Sequence, residues 1–378
     1  MELFPIHLLV LLVMMNRYVL GPLLTRARGK QVDGTDDGYQ PTVCVVIPLF
    51  NEGEGIYHAV RSLLDQDYPA EKLSICVVDD CSTDDSHAWA LKAAEGRNVK
   101  VMRNPHNMGK RKGIARAVRE MDAEIVVSVD SDVVAHESAV RELVRRFVSP
   151  NIAAVGGRTY VTNRNENWLT RMIEIKFYFA QEWLKDLERG FRSVLCLSGC
   201  LTAYRRHVLL ELEPILEGRN IAGVPIKYGE DRFLTRQIVK AGYETIYTTA
   251  AWCQTAAPAT LAGYFSQQLR WRRSNLIDML CGLSHAWRLH PVVCIHYVSQ
   301  LVLLLSYPLT ILHNMINGQF WAVLVLHMLI MGAMGVIYRF DKRHLPADMR
   351  VSMLSFLPMG FMMPITYALL TPLALFTL

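Results

Sequence analysis

The chain has 378 residues, 51% of them apolar and 20% charged, with 40 Lys and Arg against 35 Asp and Glu. That balance excludes a disordered tail, a collagen-like fibre and a disulfide scaffold. A net charge of +5 with no run of Lys and Arg interleaved with aromatics argues against a nucleic-acid partner. The mean hydropathy of +0.17 hides two populations, a charged middle from about Arg26 to Leu289 and an apolar last quarter. Eight cysteines are scattered without metal-ligand spacing, which points to free, mostly buried thiols in a reducing compartment.

Phe4 to Leu24 is apolar but interrupted by Asn16 and Arg17, and lacks the basic start and small-residue cleavage site of a removed leader. The expectation is an uncleaved membrane anchor over 1–25. Three C-terminal stretches also read as spans: Val292–Leu312, Phe320–Ile337 and Val351–Leu378, of 21, 18 and 28 residues, all without a charge. Lys and Arg counting places Arg17, Arg26, Arg28 and Lys30 inside, and with them Arg339, Lys342, Arg343 and Arg350 of the last loop. The expected layout is therefore an anchor, a cytoplasmic domain over 26–289 and a three-span region over 290–378. Two stretches, around Met172, Ile175, Phe179 and Trp183 and from Leu269 to Leu289, mix apolar and basic residues; each fits an interfacial helix or an ordinary amphipathic helix packed on protein.

Within the charged middle, strands alternate with helical patterns. Thr42–Phe50, Leu73–Asp80, Val99–Arg103 and Glu124–Asp132 read as strands, and Gly55–Asp65, His87–Ala94 and Lys110–Glu120 as helices. This is the pattern of a mostly parallel α/β sheet, which binds nucleotides at the carboxyl ends of its strands. Polar residues gather at those ends: Asn51 and Glu52, Asp79 and Asp80, Asp130 and Asp132. A G-x-G-x-x-G fingerprint is absent, so a dinucleotide enzyme loses support.

Asp130-Ser-Asp132 is expected to put two carboxylates on one side of an extended segment, suited to Mg²⁺ or Mn²⁺; alone, solvated loop acids are the commoner explanation, but the end of an apolar strand in a nucleotide-type sheet makes it a metal site. Gly109 and Lys110 open a helix whose N-terminus could meet a diphosphate. Glu230 and Asp231 in GEDRFLT serve either as helix-capping acids or as a general base. Gln267, Arg270 and Trp271 in SQQLRW suit phosphate and sugar, or a membrane-interface anchor.

In order, VVIPLFNE, VVDDCSTDD, NMGKRKG, VDSD, LSGCLTAYRR, GEDRFLT and SQQLRW resemble the processive family-2 membrane glycosyltransferases: hyaluronan, chitin and nodulation-type chito-oligosaccharide, and cellulose synthases. The resemblance implies a GT-A-like nucleotide-sugar domain between one N-terminal and about three C-terminal transmembrane helices, multi-pass in the inner (plasma) membrane. It implies an inverting β-transfer from a UDP-sugar, favoured as UDP-GlcNAc, to a growing saccharide, with Mg²⁺ or Mn²⁺ and with export as a further expectation. By position it assigns Asp79 to uracil, with Pro48, Asn51 and Glu52 lining the pocket, and Lys110 to the diphosphate. Asp130 falls near donor and metal, Asp132 on the metal, and Asp231 becomes the base, with Glu230 beside it. Gln267 and Arg270 hold the diphosphate, Trp271 stacks the acceptor, and Ser198 and Gly199 frame it. A homo-oligomer is compatible with the resemblance. The motifs depart from the family's usual wording at Cys81, Cys200 and Ala259. Two alternatives stay open: a hyaluronan synthase using UDP-GlcNAc and UDP-GlcA, and a non-processive transferase to a lipid-phosphate acceptor. A subunit that binds nucleotide without catalysis is disfavoured by the presence of all four acids, Asp79, Asp130, Asp132 and Asp231.

Overall fold

The computed structural model describes residues 10, 12–23, 34–218, 220–221, 224–226, 229–343 and 350–377. The chain divides into two compact units. One contains Arg26–Tyr160 and Lys185–Ala256; the other contains Met1–Thr25, Val161–Leu184 and Ala257–Leu378.

The first unit opens with β1 (Val43–Leu49), α1 (Gly55–Leu64), β2 (Leu73–Asp79), α2 (Ser86–Ala94), β3 (Val99–Arg103), α3 (Lys110–Glu120) and β4 (Ile125–Ser128). It goes on through β5 (Val134–Ala135), α4 (Ala139–Val144) and β6 (Ile152–Val161). The chain then passes through the second unit in α5 (Trp168–Phe177) and a π-helical stretch (Tyr178–Trp183), and returns as α6 (Lys185–Arg189) and β7 (Thr202–Arg205). There follow α7 (Arg206–Glu217), a small β8–β9 pair (Asn220–Ile221 and Val224–Pro225), α8 (Glu230–Lys240) and β10 (Glu244–Thr255). The second unit is completed by α9 (Leu261–Ala286), α10 (Pro291–Ile316), α11 (Phe320–Asp341) and α12 (Phe356–Phe376).

Eight strands form one sheet in the order β3-β2-β1-β4-β7-β6-β10-β5. β3, β2, β1 and β4 run parallel, and β7 lies antiparallel to β4 and to β6. Alternation along β1 explains why both faces are covered. Val43, Val45, Ile47 and Leu49 pack beneath Ile56, Val60 and Leu63 of α1, whereas Cys44 and Val46 meet Ala117 and Val118 of α3 and Val208, Leu209 and Leu212 of α7. Each such side chain contributes about 1.5–3 kcal/mol by leaving water, so the strand cannot slip register without exposing one set or the other. The parallel register also sets the site. Leu49 pairs with Asp79 and Val46 with Ser128, so the loops after β1, β2 and β4 leave the same edge of the sheet.

The strand and helix expectations hold closely, with one correction. β4 ends at Ser128 instead of running to Asp132. The amide of Val133 donates to the Asp130 carbonyl at 3.2 Å, closing a turn in which Ser131 and Asp132 sit. Asp130 and Asp132 are therefore presented by a turn and not by the pleat of a strand.

In the second unit, Asn167 caps α5, accepting from the amides of Leu169 and Thr170 while Thr170 answers with its hydroxyl. Met172, Ile175, Phe179 and Trp183 are all buried among Met331, Met334, Tyr338, Phe356 and Met359. This apolar face is spent on the C-terminal helices, which favours the second of the two readings of that stretch, a helix packed on protein. The basic residues used to orient the chain are also partly engaged. Arg17 is buried and donates to the His296 carbonyl at 2.9 Å and to Gln300 at 3.0 Å. Lys342 is buried against Glu182 and the Tyr178 ring. Arg339, Arg343 and Arg350 are exposed, whereas Arg26, Arg28 and Lys30, with the rest of 1–9, 11, 24–33 and 344–349, lie outside the described residues. Two helical stretches, Pro291–Ile316 and Met353–Phe376, are long and apolar enough to cross a bilayer. All eight cysteines are free; Cys44, Cys76 and Cys253 are buried and the other five half-buried.

Gly157 on β6 is closely approached by its neighbours. A Cβ there would lie 2.6 Å from Leu201 Cδ2 and 3.0 Å from the Ala251 carbonyl oxygen. We expect Gly157→Val to lower stability by about 1–3 kcal/mol through overpacking, read as a lowered melting temperature; an unchanged value would mean that this packing is loose.

Candidate active site

The loop after β1 is locked to the loop after β2. Asn51 adopts a left-handed conformation (φ 51°) that asparagine tolerates; its amide donates to Ser82 Oγ at 3.1 Å and its Oδ1 accepts from the Thr83 amide at 2.8 Å. The amides of Glu52 and Gly53 both donate to Ser86 Oγ at 2.7 Å. Pro48 is half-buried in β1. Asp79, at the end of β2, is fully buried. Its Oδ1 accepts from the Ser82 amide at 2.8 Å, while Oδ2 lies 3.0 Å from His87 Nδ1 and 3.3 Å from Arg103 Nε with no well-aligned hydrogen bond of its own.

Asp80 holds the next segment. Its carboxylate accepts from Asn104 Nδ2 at 2.9 Å and from the amides of Met108 at 2.8 Å and Gly109 at 2.7 Å. Gly109 has φ 87°, which favours glycine. This clasp consumes the amides just before α3, so the expected anion site there narrows to the side chain of Lys110 and the amides that follow it.

Lys110 is the hub. Its Nζ lies 2.5 Å from Asp130 Oδ1 and 2.7 Å from Glu230 Oε1, joining the turn after β4 to the first turn of α8. Burial opposes its charge, yet Asp130 and Glu230 outweigh that and raise its pKa well above the ordinary lysine value. Gly199 leaves room for this pair: a Cβ there would stand 3.1 Å from Lys110 Nζ. Ser198 accepts from Thr202 Oγ1 through its carbonyl at 2.6 Å. Thr235 ties the same loop to α8, accepting from the Leu197 amide at 3.1 Å and donating to the Asp231 carbonyl at 2.7 Å.

Gly229 in a left-handed conformation turns the chain into α8, which delivers Glu230 and Asp231 together. The pKa of Asp231 is raised above the usual carboxylate value, first by burial and then by Glu230, against Lys110 and Arg232. On the other side of the turn, Asp132 Oδ2 accepts from Thr255 Oγ1 at 2.7 Å, and Ser131 donates to Glu52 Oε2 at 3.3 Å. Burial, then the charges of Asp132, Asp84 and Asp130, raise the pKa of Glu52. Such crowding of negative charge fits a divalent cation. Among the described residues no three His, Cys, Asp or Glu side chains converge as a metal cage; an ion held by one or two carboxylates plus substrate phosphates needs none.

The structure thus gathers Glu52, Asp79, Lys110, Asp130, Asp132, Ser198, Gly199, Glu230 and Asp231 within the sheet unit. Gln267, Arg270 and Trp271 lie on α9 of the helical unit. There Gln267 Oε1 is buried without a hydrogen-bond partner, Arg270 is exposed, and Trp271 is 37% exposed beside the Phe177 ring at 6.1 Å. Asp80, Thr235 and Thr255 had no role assigned from sequence. Their partners lie 28 or 29, 38 and 123 residues away along the chain, so no local pattern announces them.

The family model described as "Glycosyltransferase like family 2" matches residues 41–274. An N-acetylglucosaminyltransferase of Rhizobium meliloti is 33% identical over 295 residues, covering 76% of this chain and 69% of the relative. One of Azorhizobium caulinodans is 35% identical over 246 residues, covering 64% and 62% respectively. Among solved structures, the mannosyltransferase PcManGT of Pyrobaculum calidifontis, in complex with GDP-Man and Mn²⁺, aligns with a TM-score of 0.59 at 21% identity. That alignment covers 94% of this chain and 98% of the other and shows a shared GT-A-like fold.

Because the folded state raises the pKa of Asp231, it binds that proton more tightly than the unfolded chain. Stability therefore falls as pH rises from the ordinary carboxylate range through the raised value. Asp231→Asn should melt higher than wild type at neutral pH, with the gain disappearing below the ordinary carboxylate range. A melting series across pH checks this; a variant that is less stable at neutral pH contradicts the assignment of a strained, half-buried carboxylate.

Proposed function

We propose, from the premise that the chain belongs to glycosyltransferase family 2 and is a nucleotide-sugar-dependent glycosyltransferase, that it transfers N-acetylglucosamine from UDP-N-acetylglucosamine to a growing saccharide with inversion. The observation that carries the reading is the Lys110 bridge between Asp130 and Glu230, which sets a diphosphate-seeking cation beside the half-buried carboxylate of Asp231. The donor sugar follows the names of the relatives, N-acetylglucosaminyltransferases that this chain covers to 69% and 62% of their length.

In this reading, Asp79 Oδ2, buried and short of a hydrogen bond, accepts the imide N–H of uracil, in a pocket lined by Pro48, Asn51 and Glu52. Asp132 and Asp130 hold a divalent ion, Mg²⁺ or Mn²⁺, which when bound offsets negative charge on the leaving diphosphate. Lys110 turns from its carboxylate partners to the diphosphate, and Gln267 and Arg270 keep the diphosphate role that the sequence resemblance gives them. Ser198 and Gly199 frame the acceptor, and the exposed face of Trp271 stacks against a sugar ring. Asp231 takes the proton of the acceptor hydroxyl while that oxygen bonds to the anomeric carbon; the bond from that carbon to the phosphate oxygen breaks and UDP departs with the electron pair. A raised pKa suits this base, because a more basic carboxylate removes the proton more readily. Glu230 keeps Lys110 and Asp231 in register.

The helical unit is assigned to a bilayer. α10 has 26 residues, about 39 Å of helix, and large apolar side chains along α10, α11 and α12, among them Leu309, Leu329, Phe340, Leu357 and Leu369, face outward. Multi-pass insertion in the inner membrane, with the sheet unit in the cytoplasm where UDP-sugars are found, belongs to the same proposal, as do repeated addition and export.

The test is UDP release by the detergent-purified chain supplied with Mg²⁺ or Mn²⁺ and each UDP-sugar singly and in pairs. UDP-GlcNAc alone should sustain release, and Asp231→Asn should reduce it by about 10²–10⁴-fold. Release that needs UDP-GlcA as well would move the assignment to a hyaluronan-type synthase, and transfer from another UDP-sugar alone would overturn the donor.

A further inference from the structure

The helical unit buries Arg272 and holds the half-buried Lys176, and among the described residues neither pairs with a carboxylate. Tyr264, Gln268 and Arg272 recur every fourth residue on α9 and so form one stripe of that helix. All three are buried. Lys176 of α5 reaches this stripe, donating to Gln268 Oε1 at 2.6 Å and to Tyr264 OH at 3.1 Å. From α12, Thr366 Oγ1 meets Tyr264 OH at 3.2 Å, and the ring of Tyr367 lies 3.8 Å beneath the Arg272 guanidinium.

The donors outnumber the acceptors. Arg272 is only 6% exposed, yet among the described residues it makes no hydrogen bond or ion pair, and its Nε is buried without a partner. Gln268 Nε2 and Thr371 Oγ1 are buried and unpartnered as well. No carboxylate acts on Lys176; burial, then the charge of Arg272, lower its pKa to about 7. Burying an unpaired guanidinium is among the costliest placements a fold can make. An aromatic face beneath it recovers only part of the lost hydration. Surrounding it with unfilled donors adds to that cost unless an acceptor joins them.

We propose that Lys176, Gln268, Arg272 and Thr371 form a binding site for a phosphate-type oxyanion within the helical unit. Guanidinium, ammonium, amide and hydroxyl donors on three helices match a tetrahedral group with several acceptor oxygens better than a single-point anion such as chloride. The site concerns the helical unit alone and holds whether or not the transfer reaction is assigned correctly. Phosphate chemistry of this kind is offered both by a phospholipid headgroup and by free inorganic phosphate.

The full chain is purified in detergent in a chloride buffer with EDTA, which keeps divalent ions from the sheet unit. Melting is followed with inorganic phosphate, with dioctanoyl phosphatidic acid, and with dioctanoylglycerol as the phosphate-free control. A rise of more than about 2 °C is expected with the phosphate-bearing probes and none with the glycerol lipid. Arg272→Met and Lys176→Met should each abolish the rise, and Arg272→Met, freed of an unpaired buried charge, should melt no lower than wild type in chloride alone. A response to phosphatidic acid alone identifies a lipid headgroup, and a response to both identifies phosphate from either source. In case a variant fails to fold, phosphorus carried by desalted wild-type protein is measured by ³¹P NMR, and about one equivalent per chain is expected. Wild type that neither shifts with either probe nor carries phosphorus overturns the proposal, as does a shift that survives both substitutions.

Discussion

One ammonium group organises the catalytic end of the sheet. Lys110 sits at the start of α3, and its Nζ spans Asp130 after β4 and Glu230 at the start of α8. Three elements far apart in sequence are thereby fixed at one point. Each carboxylate would repel the other without the cation between them, and Asp231 next to Glu230 would add a third negative charge. The surrounding devices all serve this contact. Asp80 grips the two amides that precede Lys110, Gly109 supplies the backbone conformation of that turn, and Gly199 leaves the space in which Nζ rests. In the proposed reaction a binding diphosphate would compete for the same ammonium and so link donor binding to the position of α8.

Much of this was legible in the sequence because it rests on local pattern. The β-branched runs at Val43–Leu49 and Leu73–Asp79 and the helix at Lys110–Glu120 follow from periodicity, and a parallel sheet puts its polar strand ends on one edge. The residue types at those ends announce the chemistry. What stayed hidden depends on distant partners. Asp132 owes its direction to Thr255, 123 residues later, and not to the pleat of β4. Asp80 looked like a second copy of Asp79, although one carboxylate clasps backbone and the other lies buried with an oxygen to spare.

In the helical unit one stretch was open to two readings for a physical reason. A stripe of Met172, Ile175, Phe179 and Trp183 has the same period whether it faces lipid or protein, and only the packing against Met331, Met334 and Phe356 decides between them. Charge counting has a similar limit, since Arg17 and Lys342 are consumed inside the fold and not displayed at a boundary. Gly282 shows how closely this unit packs. It admits the Tyr297 hydroxyl to the α9 backbone, where that hydroxyl donates to the Met279 carbonyl.

The central claim is that Asp231 deprotonates an acceptor hydroxyl that attacks opposite the departing UDP. It is tested most directly by the anomeric configuration of the first bond formed from UDP-α-N-acetylglucosamine, read from the proton coupling at the new anomeric centre. A single displacement assisted by a carboxylate base gives a β-linked product. An α-linked product would require retention and would contradict the role assigned to Asp231.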